Sequence, residues 1–140
     1  MDENAPRVAG QLRALAPEIQ RAILAKAFAF TASRLGGVAA EVSELLNAIQ
    51  THGKLSPEQA AKATAFAAEA DKRSFQLEEA DAPRSEWLKP LSEARLATAI
   101  AMAFGPHPET ASGAYYELLR SLDHGAGIER LIEAEISALK

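Results

Sequence analysis

Residues 56–80, SPEQAAKATAFAAEADKRSFQLEEA, decide the fold. At about 100° per residue, Glu58, Lys62, Glu69, Arg73 and Gln76 fall in one strip roughly 60° wide. Up to Ala70 the rest of the circumference is alanine with Thr64 and Phe66. One thin polar strip on an otherwise apolar helix predicts a helix wrapped by neighbours rather than laid on a surface. The stretch is therefore expected to be the central helix of an all-α domain. Its start is written just upstream, in Leu55-Ser56-Pro57-Glu58-Gln59. Ser56 can accept from the backbone N–H of Gln59 while the Gln59 side chain reaches back, with Pro57 at the first helical position. Glu58–Lys62 and Glu69–Arg73 are i,i+4 pairs with the acid first, the favoured order. Beyond Ala70 the pattern loosens, as Asp71, Lys72, Glu78 and Glu79 interrupt the apolar side while Phe75 and Leu77 remain. The last turns are expected to project past the bundle.

Proline and glycine punctuate the rest of the chain in the order expected of helices, proline at the front and glycine at the back. Segment 6–16 places Val8, Leu12 and Leu15 on one side. Segment 17–35 carries two apolar ridges, Ile19/Ile23/Phe30 and Leu24/Phe28/Leu35, which predicts two packing partners. Gly36-Gly37 ends it. Segment 38–50 sets Val38, Val42, Leu45, Leu46 and Ile49 inward and Glu41, Ser43, Glu44 and Asn47 outward, as a covering helix. Residues 81–90 are the longest non-periodic connection, with one helical turn expected at 84–88. Segment 91–104 is almost uniformly apolar and predicts a second buried helix. Pro106-His107-Pro108 is expected to be a rigid turn. Segment 109–122 then shows a face of Ala111, Tyr115, Leu118, Leu119 and Leu122. Gly125-Ala126-Gly127 breaks it, and 128–139 closes the chain with Ile128, Leu131, Ile132, Ile136 and Leu139. No period-2 alternation predicts a strand. The expected architecture is one all-α domain over residues 1–140, a compact bundle of six or seven helices. Segments 17–35 and 56–70 are its most buried helices.

Composition narrows the function classes. The chain has 140 residues, 48% hydrophobic and 24% charged, which suits a folded domain rather than a disordered one. Alanine fills 31 positions, so the core is thin and helix-favouring. Aromatics are only 6%, too few for base-stacking platforms. A net charge of −4 disfavours duplex nucleic acid as a general partner. No run is long and apolar enough to cross a bilayer, and no basic, apolar leader opens the chain. A cytoplasmic location with no membrane association is the resulting expectation. Charge is uneven, however. Residues 7–34 hold five bases against one acid, and residues 41–93 hold ten acids against six bases. Such asymmetry either steers a charged protein partner or is satisfied within the fold.

No arrangement of catalytic or ligand-holding residues emerges. Cysteine is absent, which removes disulfides and thiolate metal sites. His52, His107 and His124 all sit in turns, without a carboxylate or histidine at helical ligand spacing. No nucleophile elbow or phosphate loop is present. The chain is accordingly expected to be no enzyme and to hold no cofactor or metal. Segments 91–104 and 109–122 have the outline of a helix-turn-helix, but Glu109-Thr110-Ala111-Ser112 puts an acid where phosphates would lie. A helix-turn-helix-like regulator, or a small-molecule- or metal-binding bundle, stands as the alternative reading.

The residues that point outward are of the interaction type. Trp87 lies in a charged, proline-bounded connection, and Tyr116 falls outside the apolar arc of its helix; both are residue types enriched at interface hot spots. Asp71, Phe75, Glu78 and Glu79 mix charge with an aromatic at the far end of the central stretch. Glu135 projects into the apolar arc of Ile128, Leu131, Ile132 and Leu139, where a carboxylate is costly unless paired. It reaches water from a frayed end, pairs with a buried arginine, or contacts a partner. The expected partner is another protein, with a homodimer through Tyr116 and the last helix as a further possibility.

The run LRALAPEIQRAILAKAFAF, a covering helix, and then LSPEQAAKATAFAAEA resemble the Ala-rich helical domains of immunity proteins in bacterial toxin and conflict systems. The likeness covers about residues 11–104 and is one of pattern, without an invariant motif. It implies a small cytoplasmic inhibitor that binds and blocks another macromolecule.

Overall fold

The computed structural model describes residues 4–106, 111–119 and 126–139, and every regular element among them is an α-helix. The order is α1 (Asn4–Arg13), α2 (Pro17–Arg34), α3 (Ala40–His52), α4 (Pro57–Glu79), α5 (Arg84–Phe104), α6 (Ala111–Leu119) and α7 (Ala126–Ser137). Seven described helices form a compact all-α bundle, as the sequence predicts. The expected rigid turn at 106–108, the break at Gly125, and the face positions Ala111 and Leu122 fall wholly or partly outside the described residues.

The centre of the bundle is α5 and not α4. Leu96, Ile100 and Phe104 are buried along α5 together with Ala94, Ala97, Ala99 and Ala103. Against it lie α4, α6, α2 and α3. By contrast α4 packs along α5, touches α3, and buries only Ala63, Ala67, Ala70 and Ser74. Those four recur at steps of four and three, which is a single seam on a helix. Ala61, Thr64, Ala65 and Ala68 are exposed. The expectation that 56–70 is wrapped all round is therefore corrected: its alanines continue onto the solvent side. The physical reason is that alanine adds little to either environment. It favours a helix wherever that helix lies, and one methyl contributes under about 1 kcal/mol on burial.

Two further corrections concern the junction of α4 and α5. The last turns of α4 do not project past the bundle, because α5 runs back alongside them. The Ser74 hydroxyl donates to the Trp87 carbonyl at 2.7 Å, and Leu77 is half-buried. Nor is the segment before Pro90 a non-periodic connection. α5 begins at Arg84 and passes through Pro90 without ending. A proline removes the N–H that would reach the carbonyl four residues back, here that of Glu86. Glu86 lies in the exposed first turn, where a freed carbonyl can turn to water.

The remaining elements follow their sequence patterns closely. Val8 and Leu12 seat α1 against α6 and α7. α2 meets α7, α5, α6 and α3, so it does have several partners, although Ile19 at its start is exposed. Gly53 ends α3 at φ 70°, a left-handed cap that glycine adopts without strain. Gly127 lets α7 come close to α2, since a Cβ there would stand 3.2 Å from the Phe30 ring. The capping box of α4 is formed: Gln59 N–H donates to Ser56 Oγ at 3.1 Å, and Ser56 N–H donates to Gln59 Oε1 at 2.8 Å. Just before it, buried Leu55 donates its N–H to the Phe104 carbonyl at 2.9 Å, fastening the start of α4 to the end of α5. No described helix is long and apolar enough to cross a membrane.

Candidate interaction face

The charged groups inside the bundle join helices to one another. Glu93 is 8% exposed on α5, and its Oε2 accepts the backbone N–H of Ala39 at 2.8 Å. Ala39 is the N-cap residue of α3 and has no side-chain cap of its own. A carboxylate there satisfies an orphan donor and faces the positive end of the helix dipole. Arg95, two residues further along α5, stands 3.9 Å from Asp71 of α4 and 3.8 Å from Glu117 of α6. At the other side of the molecule Arg7 pairs with Glu133, and Lys26 pairs with Glu135, both at 3.0 Å. The basic segment 7–34 is thus met partly by acids of α7. A lone acid and a lone base in the largely apolar segment 91–104 are the sequence signal for Glu93 and Arg95.

The predicted interaction residues divide between these inward contacts and one outward face. Asp71 is half-buried and turned toward Arg95. Trp87 is half-buried in the first turn of α5, with its carbonyl held by Ser74. Tyr116 is half-buried, packed on the core, with its ring 5.8 Å from that of Tyr115. Glu135 pairs with Lys26, an exposed lysine rather than a buried arginine. Phe75, Glu78 and Glu79 are exposed on the last turns of α4. Phe75 is 60% exposed, the most open of the large exposed hydrophobic side chains. Tyr116 and Glu135, on α6 and α7, are not brought to this group.

Phe75 is not alone on its side. Ala61, Ala65 and Ala68 lie exposed on the outer surface of α4, on a line that reaches Phe75 two turns beyond Ala68, with the exposed Lys72 beside that line. Sequence periodicity could not find it, because the same residue type lines both sides of this helix. Beside the face, α4 and α5 enclose an open groove of about 310 Å³, lined by Ala60, Thr64, Ala67, Thr98, Met102 and Pro106 among others. Its two threonine hydroxyls donate back to their own helices, Thr64 to the Ala60 carbonyl at 3.2 Å and Thr98 to the Ala94 carbonyl at 2.8 Å. The groove consequently presents methyl groups and the Met102 side chain, which suits an apolar occupant.

Of the histidines, His52 is exposed at the end of α3, whereas His107 and His124 lie outside the described residues. The described residues contain no group of three or more possible metal ligands. The described side chains of α6 include no lysine or arginine. Comparisons with protein-family models, with curated proteins and with solved structures find no match to this chain.

Proposed function

We propose that this chain is a cytoplasmic, non-catalytic protein-binding module, of the inhibitor or immunity type that binds and blocks another macromolecule. The observation that carries this reading is Phe75, 60% exposed on the outer side of α4, two turns beyond the exposed Ala68. A large aromatic held open on a rigid helix forgoes a favourable burial worth roughly 1.5–3 kcal/mol, and contact with a partner recovers it. The polar residues support the same reading from the other side. Glu93, Arg95, Glu133 and Glu135 are engaged in contacts between helices, which gives them structural roles.

Affinity capture with the full chain, combined with mass measurement of the purified protein, tests the proposal. Wild-type protein is expected to form a complex, with itself or with another protein, that Phe75→Asp loses and the remote surface change Ser33→Asp keeps. Absence of both a captured partner and self-association would sink it.

A further inference from the structure

The polar strip of α4 has an order that identifies a partner for the face beside it. Read from the N-terminal end, its exposed charges are Glu58, Lys62, Glu69 and Arg73, alternating acid and base. Read from the other end, they alternate base and acid. We propose that the outer face of α4 is the contact between two copies of this chain, packed antiparallel about a two-fold axis. This rests on the protein-binding reading and names the partner of that face.

Several independent features meet in that arrangement. A two-fold contact must be self-complementary, since the same surface serves both subunits. In an antiparallel pair each flank of the helix meets its own copy. Glu58 then faces Arg73 of the second copy while Lys62 faces Glu69 of the second copy, and both pairs share one midpoint between Ala65 and Phe66. Parallel packing would carry the strip away from its copy, so that the pairs could form only within each chain. The seam under the pairs is made by Ala61, Ala65 and Ala68, whose single methyl groups let two helices approach closely, with the exposed Lys72 at each end of it beside Glu58 of the second copy. Within one chain Glu58 and Lys62 already stand 3.7 Å apart with most of each side chain in water. They are therefore placed to exchange partners at little cost.

The other flank supplies an anchor and its socket. Thr64 and Phe75 lie only about 20° apart around α4, at 100° per residue. The same register brings Phe75 to the level of the first turns of the second copy's α4. There the groove of Ala60, Thr64, Met102, Gly105 and Pro106 opens on the matching side. The groove's threonine hydroxyls are already bonded to their own helices, so a phenyl ring entering it displaces no hydrogen bond. Symmetry gives two such insertions, one at each end of the seam.

Sedimentation velocity of the full-length protein, from micromolar to the highest soluble concentration, tests this directly. Wild type is expected to show a concentration-dependent dimer. Lys62→Glu and Glu69→Lys each turn two attractive pairs into two repulsive ones and are expected to weaken the dimer about tenfold. An equimolar mixture of those two variants restores wild-type dimerisation, because each opposing pair is again acid with base. Phe75→Asp abolishes the dimer, and circular dichroism shows all three variants as helical as wild type. A wild-type chain that stays monomeric, or single variants whose mixture fails to recover, overturns the two-fold contact. A monomeric chain that still captures a different protein through Phe75 overturns the contact but leaves the protein-binding reading standing. Neither dimer nor partner overturns both.

Discussion

The carboxylate of Glu93 accepts the backbone N–H of Ala39 at 2.8 Å, across 54 residues of sequence. One side chain of the central helix thereby caps a neighbouring helix whose own N-cap position is an alanine. Losing the acceptor leaves a part-buried donor unsatisfied, which costs about 1–3 kcal/mol. Glu93→Ala is expected to lower the urea-unfolding free energy by about 2 kcal/mol. Glu93→Gln, which retains an acceptor oxygen, is expected to lose about half as much. Equal losses from the two variants would mean that the hydrogen bond is not the source of the effect.

Arg95 holds Asp71 and Glu117 on either side of α5, and with 26% of its side chain exposed it is neither surface nor core. Both separations are close to 4 Å, so the attraction is one of charge more than of aligned hydrogen bonds. Arg95→Met keeps much of the packing and removes the charge between two acids. Breaking a fully buried pair costs about 3–5 kcal/mol, and partial exposure reduces this to about 1–2 kcal/mol. A double-mutant cycle with Asp71→Asn should return a coupling energy above about 0.5 kcal/mol. A value near zero would show that solvent screens the pair completely.

Helix type and most helix boundaries were legible because capping and periodicity are local. Ser56, Pro57 and Gln59 form their box with no help from the rest of the chain. The rank order of burial was not local. α4 and α5 are both rich in alanine, and alanine reports a helix without reporting which side of it is wet. The discriminating residues were the large ones: Leu96, Ile100 and Phe104 are all buried on α5, whereas the first half of α4 has only half-buried Phe66. Pro90 misled for a related reason. As a sequence signal it breaks a helix, yet near the N-terminal end of α5 it forfeits a single hydrogen bond and is itself buried by the packing. The interaction residues were legible in part. Phe75 could be named from its polar surroundings, but the alanine face that continues from it could be seen only once α5 had occupied the opposite side.

Asp81 links α4 to α5 at φ 59°, the one non-glycine residue with positive φ among the described residues. Aspartate tolerates this region better than most residues, and glycine enters it without steric cost. Asp81→Gly is expected to raise stability by about 0.5 kcal/mol. Asp81→Val should lower it by about 1–2 kcal/mol, the penalty of a branched side chain in the left-handed region. Thermal unfolding followed by circular dichroism would show the two variants moving in opposite directions, and a shared direction would contradict the turn geometry.

The sharpest test of the fold compares two alanines on opposite sides of α4. Ala70 is 1% exposed against α5, and Ala65 is exposed on the outer side. Interiors are packed to crystal-like density, so the seam at Ala70 has no room for three more carbons. Ala70→Leu must push α4 from α5 or force strained rotamers, at a cost of about 1–3 kcal/mol. Ala65→Leu meets only solvent in the monomer and should change monomer stability by less than about 0.5 kcal/mol. Were α4 the wrapped helix that its composition suggests, both substitutions would destabilise the chain alike. Denaturant midpoints measured at low protein concentration, where self-association does not contribute, distinguish the two arrangements.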